Sequence, residues 1–359
     1  MRRVFAALMS LLCTVPVFVP VAAQSQEQEL IPDRRVVVSR DMDFFGSDLQ
    51  ALFDTNMAAC QQVCLNDPSC KAFTFNSRSN ACFPKSAVSE RQAYEGAISA
   101  VVVDVDPAVQ DRAEGRVNDL NFLRKRDVDA AMSQARDLGV RHMGGKWSVD
   151  VLLKAARDKE AENDLGNALH WVGAALAQND AADLWVDYAR LALANEAVAT
   201  SSSNRRRFAA TAVAAGVNGY LRAPNDPGRI AALLILAEGL EESGRGRDMV
   251  PTLRLAESIQ PRGDVVAALD AAINKYGFRI TEHRTESDKA EPRICVTFSE
   301  DLVRTGVDYA PYVRLPDPGL VVSASGRDVC VGGVEHGHRY TITFREGLPP
   351  RLAKKWSRM

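Results

Sequence analysis

Apolar and polar positions follow three different periods along this chain. From residue 30 to 105 they come in short strand-like bursts. "RRVVVS", "KAFTFN", "ACFPK" and "GAISAVVV" are each bounded by turn-forming residues. Among them, "DTNMAACQQVCLND" has helical spacing, with Thr55 or Asn56 as N-cap and a stop at "NDPS". From 116 to 275 the period lengthens to that of amphipathic helices. "NALHWVGAALAQNDAADLWVDYARLALANEA" predicts two helices around a "QNDAA" turn. "RRRFAATAVAAGVNGYLRA", "DPGRIAALLILAEGLEESG" and "RDMVPTLRLAESIQP" continue the series. Between these two parts, "VDVDPAVQDRAEGR" reads as a polar linker.

From 276 to 350 the period falls to two. Ile294, Val296 and Phe298 alternate with Arg293, Cys295 and Thr297 in "RICVTFSE". "YVRL", "LVVSAS", "DVCVGG" and "RYTITF" repeat the alternation, with glycine-containing turns between them. Roughly five strands fall short of the seven or so of an antiparallel sandwich. The closing "LPPRLAKKWSRM" does not read as a strand, so this last unit is expected to be incomplete, with a basic tail over 351–359.

The expected fold class is multidomain α+β: a helix on an antiparallel sheet, an all-α middle and a C-terminal β-sandwich. In the middle, "DAADLWVDYARLALA" and "DPGRIAALLILAEGLE" resemble tetratricopeptide-type helix pairs in spacing and small-residue usage. The Trp, Gly, Tyr and Pro signature of that repeat is not kept in one frame, so a helical-repeat-like array is expected.

The front of the chain sets the compartment. "MRR" precedes an apolar stretch closed by Ala22 and Ala23 before Gln24, the pattern of a secretory signal peptide over 1–23, cut after Ala23. Pro16 and Pro20 interrupt the stretch and argue against an uncleaved anchor. Cys13 follows Leu12, where a lipoprotein signal needs a small residue. No later stretch reaches about 18 uninterrupted apolar residues, so no membrane span is expected after signal removal. The chain is expected to be exported, periplasmic or secreted, where disulfides persist. Its 359 residues suggest two or three domains, and a formal net charge of −2 points to no nucleic-acid partner.

Removing Cys13 from the seven cysteines leaves six, an even number that favours full pairing. Four of them are spaced C-x3-C-x5-C-x11-C, at Cys60, Cys64, Cys70 and Cys82. Cys60 and Cys64 share one helix face. C-x3-C suits a zinc pair, but the remaining spacing is not a usual second half, and no histidine lies between 30 and 105. A redox C-x-x-C is absent. Two disulfides are the expectation, as a domain of this size has a small core that staples would support. Spacing alone leaves three connectivities open.

"DMDFFGSDL", "CQQVCLNDPSCKAFTFN", "ACFPK" and "YEGAISAV", together and in that order, resemble the PAN/Apple module over about residues 35–103. The expected domain is 30–105. The resemblance implies pairing of Cys60 with Cys82 and of Cys64 with Cys70. It also implies a protein or carbohydrate ligand, held on a face that varies across the family. Pro84 stands where the family often has Leu.

A second resemblance covers 276–350. "EPRICVTFSEDL" and "CVGGVEHGHRYTITFREGLP" resemble the first macroglobulin-like domain of bacterial alpha-2-macroglobulins, with Gly333-Val334 in place of the more usual Gly-Leu. The family order of signal, PAN/Apple module, helical region and macroglobulin array fits as well. Cys295 and Cys330 are expected to form a disulfide across the sandwich. Complete members are protease traps, with a bait segment and a Cys-Gln thioester. No C-x-E-Q motif occurs here, and the bait would lie beyond residue 359. The expected function is therefore the N-terminal portion of an exported endopeptidase inhibitor, meeting proteases through the full-length protein. The alternative is a stand-alone exported adaptor, whose PAN/Apple module binds protein or carbohydrate and whose helical array binds a protein.

The other chemistry-bearing residues favour plain readings. His336 and His338 lack a third metal partner and sit at a turn. His142 and His170 are each isolated and read as packing or surface residues. "SSSNRRRF" reads as a solvated helix start capped by Ser201, Ser202, Ser203 or Asn204. "GGK" at 144–146 lacks the rest of a phosphate loop. No Ser/His/Asp set sits at a recognisable nucleophile turn. No enzyme, catalytic residue, cofactor site or metal site is expected.

Overall fold

The computed structural model describes residues 30–302, 306–345 and 348. The expected signal peptide, Cys13 and the tail lie outside the described residues.

The N-terminal unit is an antiparallel sheet of β1 (Arg34–Phe45), β2 (Ala72–Asn76), β3 (Ala81–Lys85) and β4 (Glu90–Asp104), in the order β1-β4-β2-β3. Helix α1 (Met57–Asn66) packs on it. The side chain of Asn56 caps α1 by accepting from the Ala59 amide at 3.0 Å. One sheet face sends Val36, Val38, Phe73, Phe75, Ala100 and Val102 into a core shared with all four cysteines of the unit. The opposite positions carry buried hydroxyls. Thr74 and Ser99 bond each other at 2.7 Å, Ser99 donates to the Met42 carbonyl at 2.7 Å, and Thr74 accepts from the Phe44 amide. These bonds satisfy polar groups that would otherwise be costly to bury. They are made where β1 shifts register between Arg40 and Met42. Asp41 adopts a positive φ there, and its carboxylate accepts from the Gly96 amide at 3.0 Å.

The expected linker is not a loop. It folds as the end of β4 and the helix α2 (Pro107–Arg116), and a short 3-10 turn (Val117–Leu120) follows it. Asp106 caps α2 by accepting from the Ala108 amide at 2.9 Å, and Pro107 stands in the first turn, where its missing N–H costs nothing. The polar composition concealed a helix that rests on its neighbours through few residues, with Ala113 fully buried.

The array continues with α3 (Lys125–Arg141), α4 (Val149–Ala161), α5 (Leu165–Gln178), α6 (Ala182–Val198), α7 (Ser202–Arg222), α8 (Asp226–Glu242), α9 (Gly246–Ile259) and α10 (Gly263–Tyr276). From α4 to α10 each helix packs on the next, and α3 lies against α5 and α7. Ser201 caps α7 by accepting from the Asn204 amide at 3.1 Å. Small residues let the helices approach closely. A Cβ added at Gly216 on α7 would stand 2.8 Å from Leu236 Cβ on α8.

The C-terminal unit holds β5 (Ile280–Glu286), β6 (Arg293–Phe298), β7 (Val313–Arg314), β8 (Val321–Ser325), β9 (Asp328–Gly332) and β10 (Thr343–Phe344). The described strands make an antiparallel sheet in the order β5-β6-β9-β8 and a two-stranded sheet of β10 and β7. β5, "ITEHRTE", is largely exposed at an edge, so it carries no apolar alternation to announce it. Phe278 stacks on Phe298 at 4.8 Å and an Arg247–Glu300 ion pair adds to the joint, tying the end of the array to this unit.

Candidate functional site

The cysteine-bearing helix and its sheet form the first candidate. Cys60 and Cys64 are one helical turn apart, so both point from α1 into the core, and both are fully buried. Cys60 is bonded to Cys82 on β3, with Cα atoms 5.6 Å apart, and Cys64 to Cys70, at 5.3 Å. The first staple holds helix to sheet, and the second closes the turn that follows the helix. Arg34 reinforces the turn, donating to the carbonyls of Leu65 and Asp67 at 2.9 Å each. All four sulfurs are thus occupied.

The surface of this unit carries a different signal. The segment after β1 runs along β3, with the Leu49 amide on the Pro84 carbonyl and the Leu52 amide on the Cys82 carbonyl. Leu52 packs on the core, while Leu49 and Phe53 are exposed. Phe45 and Tyr94, at the far end of the β1–β4 pair, are exposed too. Phe45 and Phe53 are 61% and 68% accessible, which is uncommon for side chains of that size. Lys85 is buried nearby, where it meets Asp48 and the Gly46 carbonyl.

β1 also joins the unit to the helices. Arg35 donates to the carbonyls of Ala177 and Gln178 at the end of α5, where the helix leaves its last carbonyls without intrahelical partners. Burial lowers the pKa of Arg35, and Asp180 opposes that shift. Gly139 in the last turn of α3 approaches β1 so closely that an added Cβ would stand 2.1 Å from the Val36 carbonyl oxygen. The Gly145 amide donates to the Val38 carbonyl at 2.9 Å. The "GGK" stretch is therefore a docking turn.

His142 and His170 are not isolated. His142 follows α3, and the packing of α3 on α5 brings the two Nδ1 atoms to 3.2 Å. The His142 Nε2 lies 2.8 Å from the Tyr188 hydroxyl on α6. Burial, then His170 and Arg141, pushes His142 down to about 3, and burial lowers His170 as well. Burial raises Tyr188 to about 12. Twenty-eight residues separate the histidines, so no local motif announces the pair. Among the described residues, no three His, Cys, Asp or Glu side chains cluster as a metal site. His336 lies in a turn, and His338 contacts Glu335 at 3.6 Å.

In the C-terminal unit, Cys295 and Cys330 are bonded, but not across a sandwich. They are directly paired on neighbouring strands β6 and β9 of one sheet, with Cα atoms 4.0 Å apart. Alternation places them together on one face and turns Val296, Val329 and Val331 to the other. On that apolar face a cleft of about 220 Å³ opens among His283, Ile294, Val296, Val331, Tyr340, Ile342 and Phe344.

Comparison with known proteins bears on the N-terminal unit. Its match to the PAN domain family spans residues 35–103, from β1 to the end of β4. These residues are a PAN domain. The chain is also similar to "Putative receptor protein kinase ZmPK1" of Zea mays, with 32% identity over 60 residues. That alignment covers 17% of this chain and 7% of the maize protein, so the likeness is that of a module. No solved structure gives a significant match. The PAN domain and the three disulfides are consistent with an extracellular or secreted protein. Among the described residues, no helix is long and apolar enough to cross a membrane.

Proposed function

We propose that this chain is the N-terminal portion of an exported endopeptidase inhibitor of the alpha-2-macroglobulin type, acting in the periplasm or outside the cell. Its partners in this reading are proteases, met through the full-length protein. These residues position the trap and carry out no catalysis. The observation that carries the reading is the order of the parts along the chain, a PAN domain, a helical array and a disulfide-bonded antiparallel β unit. The packing of the β7–β10 pair on the apolar face of the C-terminal sheet supports it too. Sequencing the gene past the Met359 codon in all three frames tests it. Continuation into strand-rich domains with a C-x-E-Q motif is expected, and its absence from every frame overturns the reading.

A second reading is favoured by the exposed Phe45, Leu49, Phe53 and Tyr94 of the PAN domain. In it the chain is an exported adaptor. The PAN domain holds a protein or carbohydrate, and the helical array holds a protein partner. Screening the intact chain on a glycan array and against cell-surface proteins tests it. Binding lost in a Phe45→Ser, Phe53→Ser variant supports the adaptor; undiminished binding in that variant, or none at all, counts against it.

A further inference from the structure

The His142 ring is held on three sides. Nδ1 meets His170 of α5, Nε2 meets Tyr188 of α6, and the ring lies on Gly173, where an added Cβ would stand 2.4 Å from its Cδ2. Three residues before it, Gly139 touches the Val36 carbonyl of the PAN domain; three residues after it, the Gly145 amide bonds the Val38 carbonyl. Between these points, Val140 and Met143 pack on the disulfide core. The side chain that anchors this segment to the helices thus sits at the middle of its contact with the PAN domain.

The hydrogen bonds limit the protons the site holds. Between two Nδ1 atoms one nitrogen must donate and the other accept. In the neutral pair His142 either donates to His170 and accepts from Tyr188, or the reverse. One added proton can be placed on the pair only as a buried or half-buried cation, and a second leaves two donors facing each other. The charges around offer no relief. Arg141 on α3 bears on both His142 and Tyr188, and Arg207 on α7 bears on Tyr188. Asp137, the carboxylate paired with Arg141 at 3.4 Å, lies on the exposed side of α3.

We propose that His142 is an acid-sensitive pin: protonation of the His142–His170 pair expels the ring and releases residues 139–147, loosening the PAN domain from the helical array. The neutral ring holds the docked arrangement, and acidification favours an open one in which both imidazoles reach water. The released segment exposes Val140 and Met143 together with the β1 face they cover.

Hydrogen exchange of the full chain between pH 7.5 and 5, corrected for intrinsic rates, tests this. With the held ring near 3 and a free ring near 6.5, linkage predicts about 30-fold faster exchange of the 144–147 amides at pH 5. Amides of α7 and α8 should not change. In His142→Gln, whose amide does not titrate, the acid response of 144–147 should vanish. Retention of that response in the variant, or its absence from the unmodified chain, overturns the proposal. A histidine-detected NMR titration of the unmodified chain gives an independent reading. The His142 ring should become charged over the same pH range as the segment opens; a ring still neutral where 144–147 exchange freely also overturns it.

Discussion

Arg222 on α7 and Asp180 in the α5–α6 turn form a buried ion pair, with Nε and Oδ1 2.7 Å apart. The same Oδ1 accepts from Trp185 Nε1 at 2.7 Å, and the guanidinium lies over the Trp185 ring at 5.2 Å. Asn218 completes the set, accepting from Arg222 at 2.7 Å. Asp180→Ala leaves a buried cation without its anion. The expected loss is about 3–5 kcal/mol in denaturant unfolding. Asp180→Ala and Arg222→Met together should cost less than the sum of the two, because the double variant removes Arg222 along with its anion and leaves only Arg35 without the nearby carboxylate.

The two PAN staples differ in what their loss does. Cys60–Cys82 closes a separation of 22 residues and Cys64–Cys70 one of 6. Chain entropy gives about 3 kcal/mol for the longer loop and about 2 kcal/mol for the shorter. Replacing Cys60 and Cys82 with Ala should therefore lower the melting temperature of the PAN domain more than replacing Cys64 and Cys70. Equal losses would show that native contacts outweigh the loop term.

How far the sequence foretold these features depends on whether each is local. Cys60 and Cys64 announced a helix face because their spacing matches a turn, and Thr55-Asn56 announced its start, with Asn56 supplying the cap. Ile294, Val296 and Phe298 announced β6 by strict alternation. β5 was hidden because one exposed edge needs no apolar face, and α2 because its polar residues read as linker. The Arg222–Asp180 pair and the His142–His170 pair were invisible for a different reason. Each joins residues far apart in sequence, and only the packing of α3, α5, α6 and α7 places them. Cys295 and Cys330 were legible as strand residues, but whether they face across a sheet or between sheets depends on strand order.

Two pH windows should separate. The folded value of His142 lies below that of a free histidine, so the unfolded chain takes up the proton first. Its stabilisation is complete above about pH 6.5 and is lost as pH falls toward about 3, by a few kcal/mol in all. Glu286 is held down to about 2, first by Arg293 and then by Lys289. Its contribution is present above its ordinary value of 4.5 and is lost as pH falls through about 2. Melting curves against pH should show His142→Gln flattening the upper window and Glu286→Gln only the lower.

Gly139→Ala tests the seam without touching a charge. The added methyl would collide with the Val36 carbonyl, a backbone atom fixed by pairing with β4. The expected cost is about 1–3 kcal/mol by overpacking. Residues 35–39 and 139–147 should show the change in hydrogen exchange, and α8 should not. Gly115, with nothing within 4 Å of an added Cβ, supplies the control, since Ala there should be neutral or slightly stabilising.

The six cysteines among the described residues are all bonded, four within the PAN domain and two within the β unit. Non-reducing peptide mapping of the protein, with alkylation of free thiols, tests this pairing. Three linked peptide pairs are expected, Cys60 with Cys82, Cys64 with Cys70 and Cys295 with Cys330, with no alkylated cysteine among them. A Cys60–Cys64 link, or alkylation at any of these six positions, would contradict it.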